Sequence, residues 1–154
     1  MRRLIAALLL LLPLAAACDL PTTPQQRTGK LTGTLNGQPW AGTAEAAVYR
    51  DTLYINSGQH VTGSAEQRIG VAVVPNGQGG YSVVPPSERP GGSHYWELIG
   101  GDVITYSAQI TQGTIIFTEY GATRTRGSLQ LTISGSRGVW QFSGQFDAPR
   151  EDVP

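Results

Sequence analysis

Between Lys30 and Asp147 the chain repeats every second residue. Leu31, Gly33 and Leu35 alternate with Thr32 and Thr34; Leu129, Leu131 and Ile133 alternate with Ser128, Gln130, Thr132 and Ser134; Trp140, Phe142 and Phe146 alternate with Gln141, Ser143 and Gln145. Successive side chains of a strand point to opposite faces, so this spacing predicts strands with one dry and one wet face. The same reading assigns strands to Trp40–Val48, to the segment carrying Leu53 and Ile55, to the one carrying Ile69, Val71 and Val73, and to Tyr81–Val84 and His94–Ile99. It continues with Asp102–Ile110, where Ile104, Tyr106, Ala108 and Ile110 share a side. A separate strand led by Gly113 follows, with Ile115 and Phe117 on one face and Ile116 and Tyr120 on the other, a pattern that predicts cover on both faces. Turn signals separate the strands: Asn36-Gly37, a strong hairpin signal, then Arg50-Asp51, Pro75–Gly80, Pro85-Pro86, Gly100-Gly101 and Gly135–Gly138. Two polar stretches, Ser57–Gln67 and Gly121–Gly127, read as loops. Outside the first seventeen residues no segment carries helical period. About nine or ten short strands between turn signals predict an all-β antiparallel sandwich or barrel. Either closure buries Trp40, Trp140 and Phe142.

The first seventeen residues belong to a different kind of segment. Met1-Arg2-Arg3 precedes an apolar run, Leu4–Ala17, which ends at Cys18, the single cysteine of the chain. Fourteen residues of helix span about 21 Å, short of a bilayer crossing, whereas a basic start, a short apolar run and small residues before a junction make a secretory signal. Ala15-Ala16-Ala17-Cys18 resembles the lipobox of bacterial lipoproteins, with Ala15 where Leu is common. That resemblance implies lipidation of Cys18 on sulfur, cleavage before it and acylation of its new amino group. Asp19–Thr28 has two prolines and no aromatic residue, and reads as an extended tether reaching roughly 30 Å. The expected organisation is therefore a signal over 1–17, a lipidated cysteine and flexible tether over 18–29, one β domain over 30–148 and a C-terminal tail over 149–154. In enteric bacteria an aspartate after the lipidated cysteine retains a lipoprotein at the inner membrane; Asp19 matches, but the rule is not general, so inner and outer membrane both stay open.

Composition narrows the function classes. Eleven basic and eleven acidic residues cancel, and losing Arg2 and Arg3 leaves a charge of −2, without the basic face that nucleic acid requires. Past Cys18 there is no thiol for disulfides or nucleophilic chemistry. Twenty glycines and ten prolines spread along the chain suit many turns better than disorder.

Catalytic signals are sparse. His60 and His94 are the only histidines and hence the first places to look for a base, but alternation sends His94 and Glu97 to opposite faces. Glu88, Glu97 and Asp102 flank the proline-rich loop and the Gly100-Gly101 turn, and read as solvated charges at strand ends. No G-x-S-x-G, H-E-x-x-H, P-loop or calcium-loop pattern occurs, and no three metal ligands cluster in sequence. No catalytic residue, metal or cofactor is therefore assigned. The aromatic residues are the stronger signal. With Leu53, Ile55 and Trp96 turned inward, Tyr54 and Tyr95 turn outward; together with Tyr81 they form a candidate interaction surface beside Pro85–Ser93.

Leu31–Trp40 (LTGTLNGQPW) resembles the opening of a group of small bacterial lipoproteins of unknown function, whose domain begins with an NGxxW-like hairpin soon after the anchor. Gly113–Asp147, with its GTIIFTEY, GSLQLTIS and SGQFDA strands, resembles their ending. The resemblance implies an all-β domain in the cell envelope and carries no activity. The expected protein is a lipid-anchored envelope lipoprotein with a non-enzymatic binding or structural module. Its expected partners are the membrane, through the lipid, and an envelope protein. The alternatives are a small barrel carrying an apolar ligand, and an inhibitor or chaperone that grips a protein partner.

Overall fold

A computed structural model describes residues 28–78, 80–88 and 91–153. The signal, Cys18 and most of the tether lie outside the described residues. Nine strands form one sheet: β1 (Gly29–Leu35), β2 (Gln38–Tyr49), β3 (Thr52–His60), β4 (Ala65–Pro75), β5 (Tyr81–Val83), β6 (His94–Ile99), β7 (Val103–Tyr120), β8 (Arg124–Gly135) and β9 (Gly138–Val153). Neighbours run in the order β3-β2-β1-β9-β8-β7-β6-β4-β5, and β3 also pairs with β4, from Leu53↔Val73 to His60↔Glu66. That pairing closes β1–β4 and β6–β9 into an eight-stranded barrel, with β5 held on the last residues of β4. Of the two expected closures, the barrel is the one formed, and closure removes the open sheet edges that invite aggregation.

Local chemistry sets the hairpins. Asn36 and Gly37 both take positive φ (49° and 77°), as the turn matching the twist of β1 and β2 demands. At Gly100-Gly101, φ of 66° and 86° lets β6 reverse into β7. Inside, apolar residues from every barrel strand meet: Leu31, Trp40, Ile55, Val71, Tyr95, Ile110, Leu131 and Phe142 belong to one core. The ring of Phe142 occupies the space beside Gly144, and the ring of Phe146 the space beside Gly127; a Cβ at either glycine would run into them. Outside, Thr32, Thr34, Gln130, Gln141, Ser143 and Gln145 are exposed. This is the reverse of a membrane-spanning barrel, whose outward band is apolar. Among the described residues no helix is long and apolar enough to cross a membrane.

Several expected boundaries move. The stretch expected as a loop over Ser57–Gln67 is mostly strand, with β3 running to His60 and β4 starting at Ala65. Its polarity misled because inward-facing polar groups satisfy one another there: Gln59 Nε2 donates to Gln67 Oε1 at 2.8 Å, and Gln59 Oε1 accepts from the Ala41 amide at 3.0 Å. The two strands expected over 102–120 are the single strand β7, whose register shifts at Ile110/Gln112 and Phe117/Glu119 absorb the phase change. Ile116, expected under cover, is 60% exposed, because only one face of β7 meets the core. Ile104, expected on the buried side, is exposed, since the shift at Glu97/Leu98 changes the phase between β6 and β7. β8 already begins at Arg124, inside the expected Gly121–Gly127 loop. The expected tail over 149–154 continues β9 to Val153, pairing in parallel with β2 from Ala46↔Arg150 to Tyr49↔Val153. β1 starts at Gly29, and beyond that point its two neighbours meet directly.

Candidate functional site

The strand pairings sort the connections between two ends. Gly29, the Arg50-Asp51 turn, the 76–93 crossover, the 121–123 turn and the C-terminal end of β9 lie at one end, called proximal because the described chain begins there. The Asn36-Gly37, 61–64, 100–102 and 136–137 turns lie at the other, distal end.

Aromatic residues close both ends. At the proximal end the ring of Tyr81 meets Phe117 edge-on at 4.7 Å and stacks with Tyr120 at 5.1 Å, while Phe117 meets Phe146 at 5.8 Å. The Arg150 guanidinium covers Tyr120 at 4.8 Å and donates from Nη1 to the Gly121 carbonyl. Beside this cluster, Asp147 accepts from Arg124 Nε and Nη2 at 2.5 and 2.6 Å and from Arg126 Nε at 3.1 Å; Arg126 also pairs with Glu119. The hydrogen bonds from Arg124 hold the Asp147 carboxyl below the usual carboxylate range. At the distal end Trp140 meets Tyr95 at 5.4 Å and Tyr106 at 5.5 Å, and Arg137 lies 4.0 Å over the Tyr106 ring. Glu97 accepts from the Tyr95 hydroxyl at 3.1 Å and from Arg137 Nη1 at 2.8 Å. Burial, reinforced by the Glu97 charge, pushes the Tyr95 phenol far above its usual range. Between the ends Trp40, Tyr95, Phe142, Leu31, Ile55 and Leu131 are each at most 1% exposed, so their side chains face packed atoms and not a solvent-sized cavity.

The expected aromatic surface does not form. Tyr95 is fully buried and points into the barrel, Tyr81 belongs to the proximal plug, and Tyr54 is half-buried on the outer face of β3. The phase of β6 is the reverse of the expected one: Trp96 faces outward and Tyr95 inward. Gly70 explains the choice. Its missing side chain leaves room on the outer face of β4 for the Trp96 ring, which a Cβ at Gly70 would meet at 2.9 Å. Tyr95 in turn carries a hydroxyl that finds Glu97 at the mouth. Trp140, expected in the core, is half-buried in the distal plug.

The titratable candidates are dispersed. Glu97 is committed to Tyr95 and Arg137, and His94 and Glu97 occupy opposite faces of β6, as alternation predicts. Glu88 lies in the proximal crossover and Asp102 in the distal turn. Among the described residues no group of three or more His, Cys, Asp or Glu side chains is placed to hold a metal.

What the geometry does assemble is an open groove on the outer face of β6, β7 and β8, a depression of about 330 Å³ lined by His94, Ser107, Ala108, Gln109, Ser134 and Gly135. The register makes it: Gly70, His94, Gln109 and Ser134 follow one another across four neighbouring strands, and Trp96 stands opposite Ser107. The rings of His94 and Trp96 stack at 5.2 Å with an interplanar angle of 18°. His94 Nδ1 lies 2.6 Å from the Gly92 carbonyl, which can only accept, so Nδ1 is the donor and Nε2 is left without a protein partner among the described residues. The alternation of 94 and 96 was the available sequence signal for this platform, and the inward reading of Trp96 hid it. No protein-family model, curated protein or solved structure matches this chain, so the reading of the site rests on its own geometry.

Proposed function

We propose that this protein is a lipid-anchored bacterial envelope lipoprotein whose barrel is a non-enzymatic binding or structural module. The observation that carries the reading is the single cysteine, Cys18, placed directly after a short apolar run and three alanines. The entry of the described chain at Gly29, at one end of the barrel, is compatible with attachment through a preceding tether. Acyl chains contribute about 0.8 kcal/mol per buried CH₂, so more than one gives stable attachment. The resemblance to small β lipoproteins points the same way. Cys18→Ser should release the protein from the membrane fraction into the periplasmic or culture fraction. Retention of the variant on membranes after a salt wash would overturn the anchor.

A partner-gripping role draws support from the distal hairpin of β6 and β7, where Ile99, Val103 and Ile104 are all more than half exposed. An apolar cargo inside the barrel has no comparable support.

A further inference from the structure

We propose that the groove lined by His94, Ser107, Gln109 and Ser134, with the Trp96 ring stacked on His94 at its side, is a binding site for a neutral oligosaccharide. Resting on the binding-module reading but not on the lipid anchor, the assignment follows from three properties of the groove.

The first is its shape. It is shallow and open along the barrel surface, crossing β6, β7 and β8, and suits an extended chain of sugar rings better than a compact molecule that must be enclosed. The second is the aromatic platform. His94 and Trp96 are half-buried, stacked nearly parallel, and held from below, His94 by the Gly92 carbonyl and Trp96 by its seat over Gly70. A rigid, partly wet aromatic surface offers a π face to the C–H side of a pyranose at little cost in side-chain entropy.

The third is the polar lining. Among the described residues, the hydroxyls of Ser107 and Ser134, the Gln109 amide and the Trp96 indole N–H bond to no other protein group. Hydroxyls and amides both donate and accept, which matches sugar hydroxyls that do the same. None of the lining residues carries a formal charge when His94 is neutral. The nearest cation on the outer face of β4, Arg68, is bonded through Nε and Nη2 to both oxygens of Glu66 at 2.9 and 3.0 Å. Phosphates, nucleic acids and acidic peptides would find no unpaired cation in this lining.

The test is calorimetric titration of the purified full-length protein with chitotetraose, cellotetraose and maltotetraose. The expected result is saturable binding of at least one of them, with an affinity unchanged between about 50 and about 500 mM salt, because no ion pair is involved. Gln109→Ala should weaken binding about tenfold or more without moving the thermal unfolding midpoint, and Trp96→Ala should weaken it at least as much. Should Trp96→Ala fail to fold, Ser134→Trp, an outer-face change that fills the groove, carries the same expectation. Absence of saturable binding to all three sugars, binding that collapses with salt, or undiminished binding by Gln109→Ala and Ser134→Trp would each overturn the site. Any of these leaves the fractionation of Cys18→Ser as it was, so failure here is distinguishable from failure of the anchor.

Discussion

Asp147 illustrates how single side chains fasten the barrel. Its carboxylate takes two hydrogen bonds from Arg124 on the neighbouring strand and a third from Arg126, with Glu119 balancing Arg126 from β7. Because the folded chain favours the ionised form, its pKa is lower folded than unfolded. The stabilisation is therefore complete above the unfolded value, about 3.9, and is lost as pH falls through the lower folded value. Glu66, lowered by its hydrogen bonds from Arg68, acts in the same direction. Chemical denaturation followed from pH 7 to pH 2 should show stability declining below about pH 4. Asp147→Asn should be less stable at neutral pH and lose part of that acid dependence; an unchanged profile would mean the network contributes nothing. At this scale much was legible. Alternation placed Leu31, Trp40, Leu131 and Phe142 inward from sequence alone. Tyr95 and Trp96 were assigned the wrong way round, because both are large and amphipathic, and the deciding residue, Gly70, lies on another strand.

The last strand shows what an element gains from its neighbours. Residues 149–153 are charged and proline-bearing, yet they extend β9 because β1 stops at Gly29 and leaves the lower part of β2 to be paired. Arg150 then lies over Tyr120 and closes the proximal plug. Ending the chain after Ala148 should remove the four paired positions with β2 together with this cap. The expected loss is roughly 5 °C or more in the unfolding midpoint, with faster amide exchange over Ala46–Tyr49. Equal stability and unchanged exchange would make those residues the tail that their composition implies. β7 carries the complementary lesson. Its two register shifts are invisible to a fixed period of two, so one long strand reads as two, and the loop over Ser57–Gln67 reads as polar because Gln59 and Gln67 bond each other inside.

As a whole molecule the protein is a closed barrel with a filled axis and an aromatic plug under an arginine at each end. That arrangement makes a statement about cargo. An apolar fluorescent probe such as N-phenylnaphthylamine should show no saturable binding to the folded protein, since the inward side chains already occupy the interior. Stoichiometric binding, abolished by unfolding, would restore the carrier. Sequence alone determined the strand content, most turns and the identity of most core residues, because these depend on local spacing and on residues adjacent in the chain. Closure of β3 on β4, the strand phase at Tyr95 and Trp96, the pairing of the C-terminal residues and the groove beside His94 were decided by tertiary structure. Each depends on which strand stands next to which, and in what register, and local alternation leaves both free.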